Sequence, residues 1–262
     1  LVWYMKRQLL IGGKGIRIGV PSYPFKMLTV PLLLNTTTTV YPDPDPETAT
    51  VDGDVGVTTG GESTWTSIRA GTAGAAPSDG ATWRPCRIEC HTTTDRYQNN
   101  FRGVCLFDTS GIPDTDTINS ATLSLMPSAT PTNAGADSAA MISVAPASNT
   151  NLVTGDYATF TFTKQATSVL VSSMTVDVFF DMTLNATGRG NISTTGVSKF
   201  GVISEFDLAN SPIPTWQPAN GMVTLLTVKA AETALQTSDP KLVVVHPIVP
   251  TGGLLMLSLA LS

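Results

Sequence analysis

The stretch from Phe101 to Leu125 reads as two strands joined by a polar turn. Val104 to Phe107 is an apolar run, Asp108 to Asp116 is a break rich in Asp, Gly and Pro, and a second strand follows. From Ala121 to Leu125 the apolar residues alternate with Thr122 and Ser124. Successive strand side chains point to opposite faces, so this alternation predicts one buried and one wet face, the mark of an antiparallel sheet.

The rest of the chain agrees. It is rich in Thr and Ser, with 22 Gly and 18 Pro, and only 13% of its residues are charged. Thr is β-branched and stiff at χ1, which suits the solvent face of a strand better than a helix. With 42% hydrophobic residues the 262-residue chain has material for a real core, so its composition is not that of a disordered segment. Strands are predicted around 49–58, 83–91, 101–108, 117–126, 139–145, 158–164, 176–184, 197–206, 222–229 and 241–248, with a short helical turn between Leu184 and Ile192. Short strands separated by Pro and Gly punctuation fit an all-β antiparallel sandwich or jelly roll, in which two sheets bury each other's inner faces. The predicted organisation is an extended basic arm at 1–40, a β-sandwich domain at 41–249 and an apolar tail at 250–262. Tyr41 to Glu47, with Pro42, Pro44 and Pro46, reads as a stiff acidic linker at the start of the domain.

The net charge of −5 hides an asymmetry. Residues 1–42 carry Lys6, Arg7, Lys14, Arg17 and Lys26 and no acid, leaving ten bases against all twenty acids in the remainder. A basic arm on an acidic body either docks onto an acidic surface, such as a neighbouring subunit, or is a solvated leader. Nucleic acid is a poor partner, because the body repels phosphates and the arm lacks a dense basic cluster. The stretch from Met5 to Gly13 begins like a signal peptide, but Lys14, Arg17 and Lys26 interrupt the apolar region that should follow. No run approaches the roughly 20 apolar residues of a membrane span. The tail, Leu254 to Ser262, is apolar and uncharged. A run like this invites strand pairing, so it either packs on its own chain or is donated to a neighbour.

Candidate chemistry is sparse. Three cysteines, Cys86, Cys90 and Cys105, do not imply a disulfide framework. Cys86 and Cys90 on one strand lie roughly 13 Å apart at the usual rise, too far to bridge or to share one ion. A cross-strand Cys90–Cys105 bond is the alternative to free thiols. The two histidines, His91 and His246, lie in no nucleophile elbow or local catalytic signature, so neither a catalytic residue nor an enzyme is expected. Asp43, Asp45, Glu47, Asp52 and Asp54 alternate as calcium ligands can, but the prolines between the first three hold them apart, and no metal or other cofactor is expected. Asn35, Asn185 and Asn191 fit glycosylation sequons, which Thr-rich chains also form by chance. Trp65, Trp83, Tyr97 and Trp216 lie in or beside loop-like segments. Exposed, they form a flat platform for sugar rings; buried, they are ordinary sandwich core.

The segments Leu106 to Pro113 and Ile118 to Leu125 resemble those of DNRLRE-type domains, β-sandwich modules similar to carbohydrate-binding modules. The strand Asp239 to Val245 resembles the one on which such domains close. The order of Pro42 to Thr48, Ala147 to Thr150, Leu184 to Gly188 and Gly196 to Gly201 is similar to that in phage and metagenome proteins. The resemblance covers about residues 40–247 and leaves both ends aside. The chain departs from it at Tyr157 to Phe162, where related domains carry a tryptophan-rich strand. The resemblance implies a non-enzymatic particle subunit, such as a phage decoration, head-fibre or tail-appendage protein. That subunit would be anchored to neighbouring subunits by its arms, homo-oligomeric, and located on a virion or outside the cell. The alternative it implies is an extracellular carbohydrate-binding or adhesive module that takes surface glycans.

Overall fold

The computed structural model describes residues 34–71, 75–218, 221–232 and 236–248. Lys6, Arg7, Lys14, Arg17 and Lys26, and the tail at 250–262, lie outside the described residues. Within them run fourteen strands: β1 (Leu34–Val40), β2 (Asp52–Ser63), β3 (Ala75–Ser78), β4 (Thr82–Cys90), β5 (Tyr97–Asp108), β6 (Ser120–Leu125), β7 (Thr132–Asn133), β8 (Ser138–Val144), β9 (Phe160–Thr161), β10 (Val169–Leu170), β11 (Phe180–Thr183), β12 (Val197–Ser204), β13 (Met222–Lys229) and β14 (Lys241–Ile248). Three short helices, α1 (Trp65–Ala70), α2 (Ala186–Gly190) and α3 (Glu205–Ala209), and 3-10 turns at Thr154–Ala158 and Val171–Ser173 complete the fold.

The strands form two antiparallel sheets, so the chain is an all-β, sandwich-like protein. The smaller sheet runs β1-β14-β6-β11. The larger runs β10-β8-β12-β5-β4-β13-β7, with β2 on β5, β3 on β2 and β9 on β8. The long strand β5 organises the larger sheet: Cys105 to Asn99 pair with β2, Asp108 to Gly103 with β12, and Arg102 to Tyr97 with β4.

Burial explains why β5 and β6 differ in sequence. The sheets close on a core built from Cys105 and Phe107 of β5, Ala121, Leu123 and Leu125 of β6, Met141, Met182, Phe200, Leu226, Leu242 and Val244. The opposite face of the larger sheet is also covered. There Val104 and Leu106 of β5 pack with Ile142, Ile203 and Val223 beneath Trp65 and Ile68 of α1 and Tyr157 of the Thr154–Ala158 turn. Alternate residues of the Val104–Phe107 run of β5 therefore enter two different cores, and that run is apolar without a break. In β6, Ala121, Leu123 and Leu125 face the core and Thr122 is half-buried, but Ser124, expected on the wet face, is buried, its hydroxyl donating to Asp181 Oδ1 at 2.6 Å.

Among the boundaries that differ from expectation, two have a clear physical cause. The sandwich begins at Leu34 rather than after residue 40, because the Thr run of β1 adds to β14 as the outer strand of the smaller sheet. The strand expected at 158–164 shrinks to Phe160 and Thr161. Asp156 captures the preceding segment in a 3-10 turn, its carboxylate accepting from the amides of Ala147 and Val153 at 2.8 Å each. The helical turn expected between Leu184 and Ile192 is α2, capped by Asn185, whose Oδ1 accepts from the Gly188 amide at 3.0 Å.

Candidate functional site

Of the four aromatic residues read either as a glycan platform or as sandwich core, three are core. Trp65, Trp83 and Tyr97 are 3%, 0% and 1% exposed. Trp65 and Tyr97 meet edge to face, with ring centroids 5.4 Å apart, in the core under α1. Trp83 fills the other core, between the sheets. Trp216 is half-buried against the first of these clusters, and its Nε1 donates to the His91 carbonyl at 3.0 Å. Tyr97 Oη donates to the Pro214 carbonyl. These rings look loop-like in sequence because they fasten loops to the sheet. Among the described residues the one exposed aromatic is Phe162, at 39%. The Arg69 guanidinium stacks 4.4 Å from its ring centroid.

The acids of the 43–54 segment are separated by the fold. The Asp43 carboxylate closes its own loop, accepting from Thr48 N at 3.1 Å, Thr48 Oγ1 at 2.8 Å and Ala49 N at 2.5 Å. Burial pushes its pKa up, but these bonds outweigh it and hold the carboxyl below the usual range. Asp54 is buried against Arg84, Oδ2 to Nε at 3.1 Å. Asp52 is fully buried. Its Oδ1 accepts from Ala231 N at 3.3 Å. Burial, with Glu232 and Glu47 adding repulsion, pushes the Asp52 pKa up to about 8. Among the described residues no three Cys, His, Asp or Glu side chains are grouped to hold a metal ion. Cys86, Cys90 and Cys105 are buried free thiols. Cys105 lies across from Asp52 and Phe200, and Cys90 across from Tyr97, so no Cys90–Cys105 bond forms. Among the described residues no helix is long and apolar enough to cross a membrane.

The two histidines have different surroundings. His91 is half-buried in a tight turn, where Nδ1 accepts from the Thr93 amide at 3.1 Å. His246 is the last inward-facing residue of β14, after Leu242 and Val244. Its Nδ1 lies 2.7 Å from Asp116 Oδ2 and its Nε2 2.9 Å from Thr38 Oγ1. The His246 and Asp116 side chains are 5% and 3% exposed, whereas Thr38 is half-buried on the outer strand β1.

The polar turn between β5 and β6 delivers the carboxylate. Asp108 Oδ1 accepts from the Ser110 amide at 3.1 Å, and Thr109 Oγ1 ties the turn to the Ser193 and Gly196 carbonyls at 2.5 and 3.0 Å. A further turn, Asp116 N to Pro113 O at 2.9 Å, then aims Asp116 at β14. Asn119 completes the clasp, donating from its amide to Val245 O at 2.8 Å and from Nδ2 to Asn35 Oδ1 at 2.9 Å. Beside Asp116 opens a cleft of about 380 Å³ lined by Ile118, Arg189, Ile192 and Thr194. The sequence singles out His246 but not its partners. Thr38 and Asp116 lie 208 and 130 residues from it, and the three meet because β14 pairs with β1 on one side and with β6 on the other.

Comparison with known proteins finds no protein-family model and no curated protein that matches this chain.

Proposed function

We propose that this chain is a structural subunit of a virus-like particle, such as a phage decoration, head-fibre or tail-appendage protein, held to neighbouring subunits by its two terminal segments. The observation that carries the reading is the adjacency of β1 and β14 in the smaller sheet. The basic segment 1–33 is joined to β1 and the uncharged apolar segment 249–262 to β14, so both are rooted on neighbouring strands. The roots themselves present apolar side chains, with Leu34 50% and Ile248 41% exposed. The charge contrast supports docking, since the segment before β1 is purely basic and the body strongly acidic. Self-association through donated segments would cover the apolar tail. The resemblance to DNRLRE-type sandwiches supplies the displayed body.

The test is removal of 1–33 and 249–262, separately and together, with native mass and particle incorporation as readouts. The trimmed body is expected to keep its β circular dichroism and to remain monomeric while the intact chain assembles. Full incorporation of the doubly trimmed protein sinks the reading.

A second reading, a carbohydrate-binding or adhesive module on a virion or outside the cell, is favoured by Phe162. Its ring is exposed and flanked by the Arg69 guanidinium, the pairing of an apolar platform with a polar group that sugar rings use. A glycan array is expected to give a signal that Phe162→Ala removes. A blank array rules this reading out and leaves the first intact.

A further inference from the structure

We propose that Thr38, His246 and Asp116 form a nucleophile–base relay that accepts an acyl group from an unhindered carboxylic ester onto the Thr38 hydroxyl. This activity goes beyond the anchoring role. A carboxylate only accepts hydrogen bonds, so the 2.7 Å contact to Asp116 Oδ2 places the imidazole proton on Nδ1. Nε2 then presents its lone pair to Thr38 Oγ1 at 2.9 Å, inside the range at which a base takes a hydroxyl proton. The order hydroxyl, imidazole, carboxylate is the one that activates a nucleophile, and it is recognised by geometry rather than by position in sequence.

Burial is graded along the relay in the sense that this chemistry needs. Asp116 and His246 are shielded, where the carboxylate stabilises a developing imidazolium more strongly than it would in water. Thr38 is the end that solvent reaches, on a strand whose outer edge no described strand covers. A purely structural explanation accounts for less. A Thr–His hydrogen bond contributes only about 1 kcal/mol net, and a buried His–Asp pair is weak evidence for stability because desolvation offsets its attraction.

In the step itself, Thr38 Oγ attacks the ester carbonyl carbon and its proton passes to His246 Nε2. The tetrahedral adduct collapses, the bond from carbon to the alcohol oxygen breaks, and the departing alcohol takes the proton from Nε2. Water, deprotonated by the same nitrogen, then cleaves the Thr38 ester, releasing the carboxylic acid and restoring the hydroxyl. Asp116 acts as a positioning residue throughout.

The experiment uses the full chain with p-nitrophenyl acetate, following p-nitrophenolate release and locating the acetyl group by peptide mass spectrometry. The intact protein is expected to acetylate at Thr38. Thr38→Val, which keeps the β-branched shape, and His246→Gln are each expected to lower turnover by about 10²–10⁴-fold. Thr38→Ser is expected to rescue what Thr38→Val loses. Asp116→Asn should lower kcat with KM little changed, because it disturbs the tautomer and not the approach of the ester. If His246→Gln unfolds, Thr38→Val decides alone. Equal rates for the intact protein and folded Thr38→Val, or acetyl found on lysines and not on Thr38, overturn the proposal.

Discussion

Arg102 and Asp207 meet as a two-pronged ion pair beneath the helical layer, Nε to Oδ2 at 2.6 Å and Nη2 to Oδ1 at 2.9 Å. Arg102 is 2% and Asp207 0% exposed. Two further guanidinium protons go to the carbonyls of Tyr157 at 2.5 Å and Arg69 at 2.7 Å, and Asn100 Nδ2 donates to Asp207 Oδ2 at 3.1 Å. One arginine on β5 thus ties down the end of α1, the Thr154–Ala158 turn and α3.

Removing Asp207 leaves the buried Arg102 charge uncompensated, and removing Arg102 leaves Asp207 only the more exposed Arg69, Nε to Oδ1 at 3.3 Å; breaking a buried pair costs about 3–5 kcal/mol. Asp207→Ala and Arg102→Met are expected to lower the urea midpoint sharply with the slope unchanged. Arg102→Lys should be nearly as damaging, since a lysine cannot reproduce the planar fork. The double replacement Arg102→Met with Asp207→Leu should lose less than either single change. Single variants with wild-type midpoints would show that the network contributes nothing.

The architecture was readable where the hydrophobic pattern had one meaning. Alternation at Ala121 to Leu125 specified a strand with one buried face, and the unbroken run at Val104 to Phe107 suits a strand with two. The Thr run of β1 carried no apolar period, so its place beside β14 was hidden in an expected arm. The tryptophans misled for a related reason. Polar neighbours marked Trp65 and Trp216 as loop residues, and nothing local to them signals that α1 and its neighbouring loops cover a second sheet face. The Thr38–His246–Asp116 relay was illegible because it exists only once β14 is paired with both β1 and β6.

Stability should fall as pH rises from about 4 to about 8. Asp52 has an ordinary pKa of 3.8, raised to about 8 in the fold by burial, with Glu232 and Glu47 adding to it. Glu232 is raised from 4.5 to about 7 by burial and by repulsion from Glu47, Asp45 and Asp79. Between those values the folded chain holds protons that the unfolded chain has released, so each added pH unit favours unfolding. For one group the slope is at most about 1.4 kcal/mol per pH unit. Asp52→Asn keeps the shape without the charge and is expected to gain on the wild type steadily over this window. Denaturation at a series of pH values measures the gap; a constant difference from pH 4 to 9 contradicts the assignment.

The three thiols should be silent in the native protein. Burial pushes Cys86 and Cys105 well above the usual thiol range, and it raises Cys90, whose Sγ accepts from the Gln217 amide at 3.1 Å. Thiolate is the reactive species, so labelling by a thiol-disulfide reagent should follow unfolding rather than reagent concentration. Three equivalents are expected in denaturant. Fast labelling of the native chain would place at least one thiol at the surface.

The closeness of β5 to the inter-sheet core gives the sharpest packing test. Gly103 faces Trp83, and a Cβ built there would lie 2.1 Å from Cζ3, 2.7 Å from Cε3 and 2.9 Å from Pro85 Cβ. Trp83 is fully buried among side chains of both sheets, so the indole cannot move without displacing its neighbours. Overpacking of this kind costs about 1–3 kcal/mol and sometimes more. Gly103→Ala is therefore expected to lower the thermal midpoint by several degrees. Gly80→Ala is the matched control, since nothing lies within 4 Å of its added methyl. It should be neutral or slightly stabilising through the entropy of the unfolded chain. If the two variants melt together, the indole does not pack over Gly103 and the placement of Trp83 between the sheets is wrong.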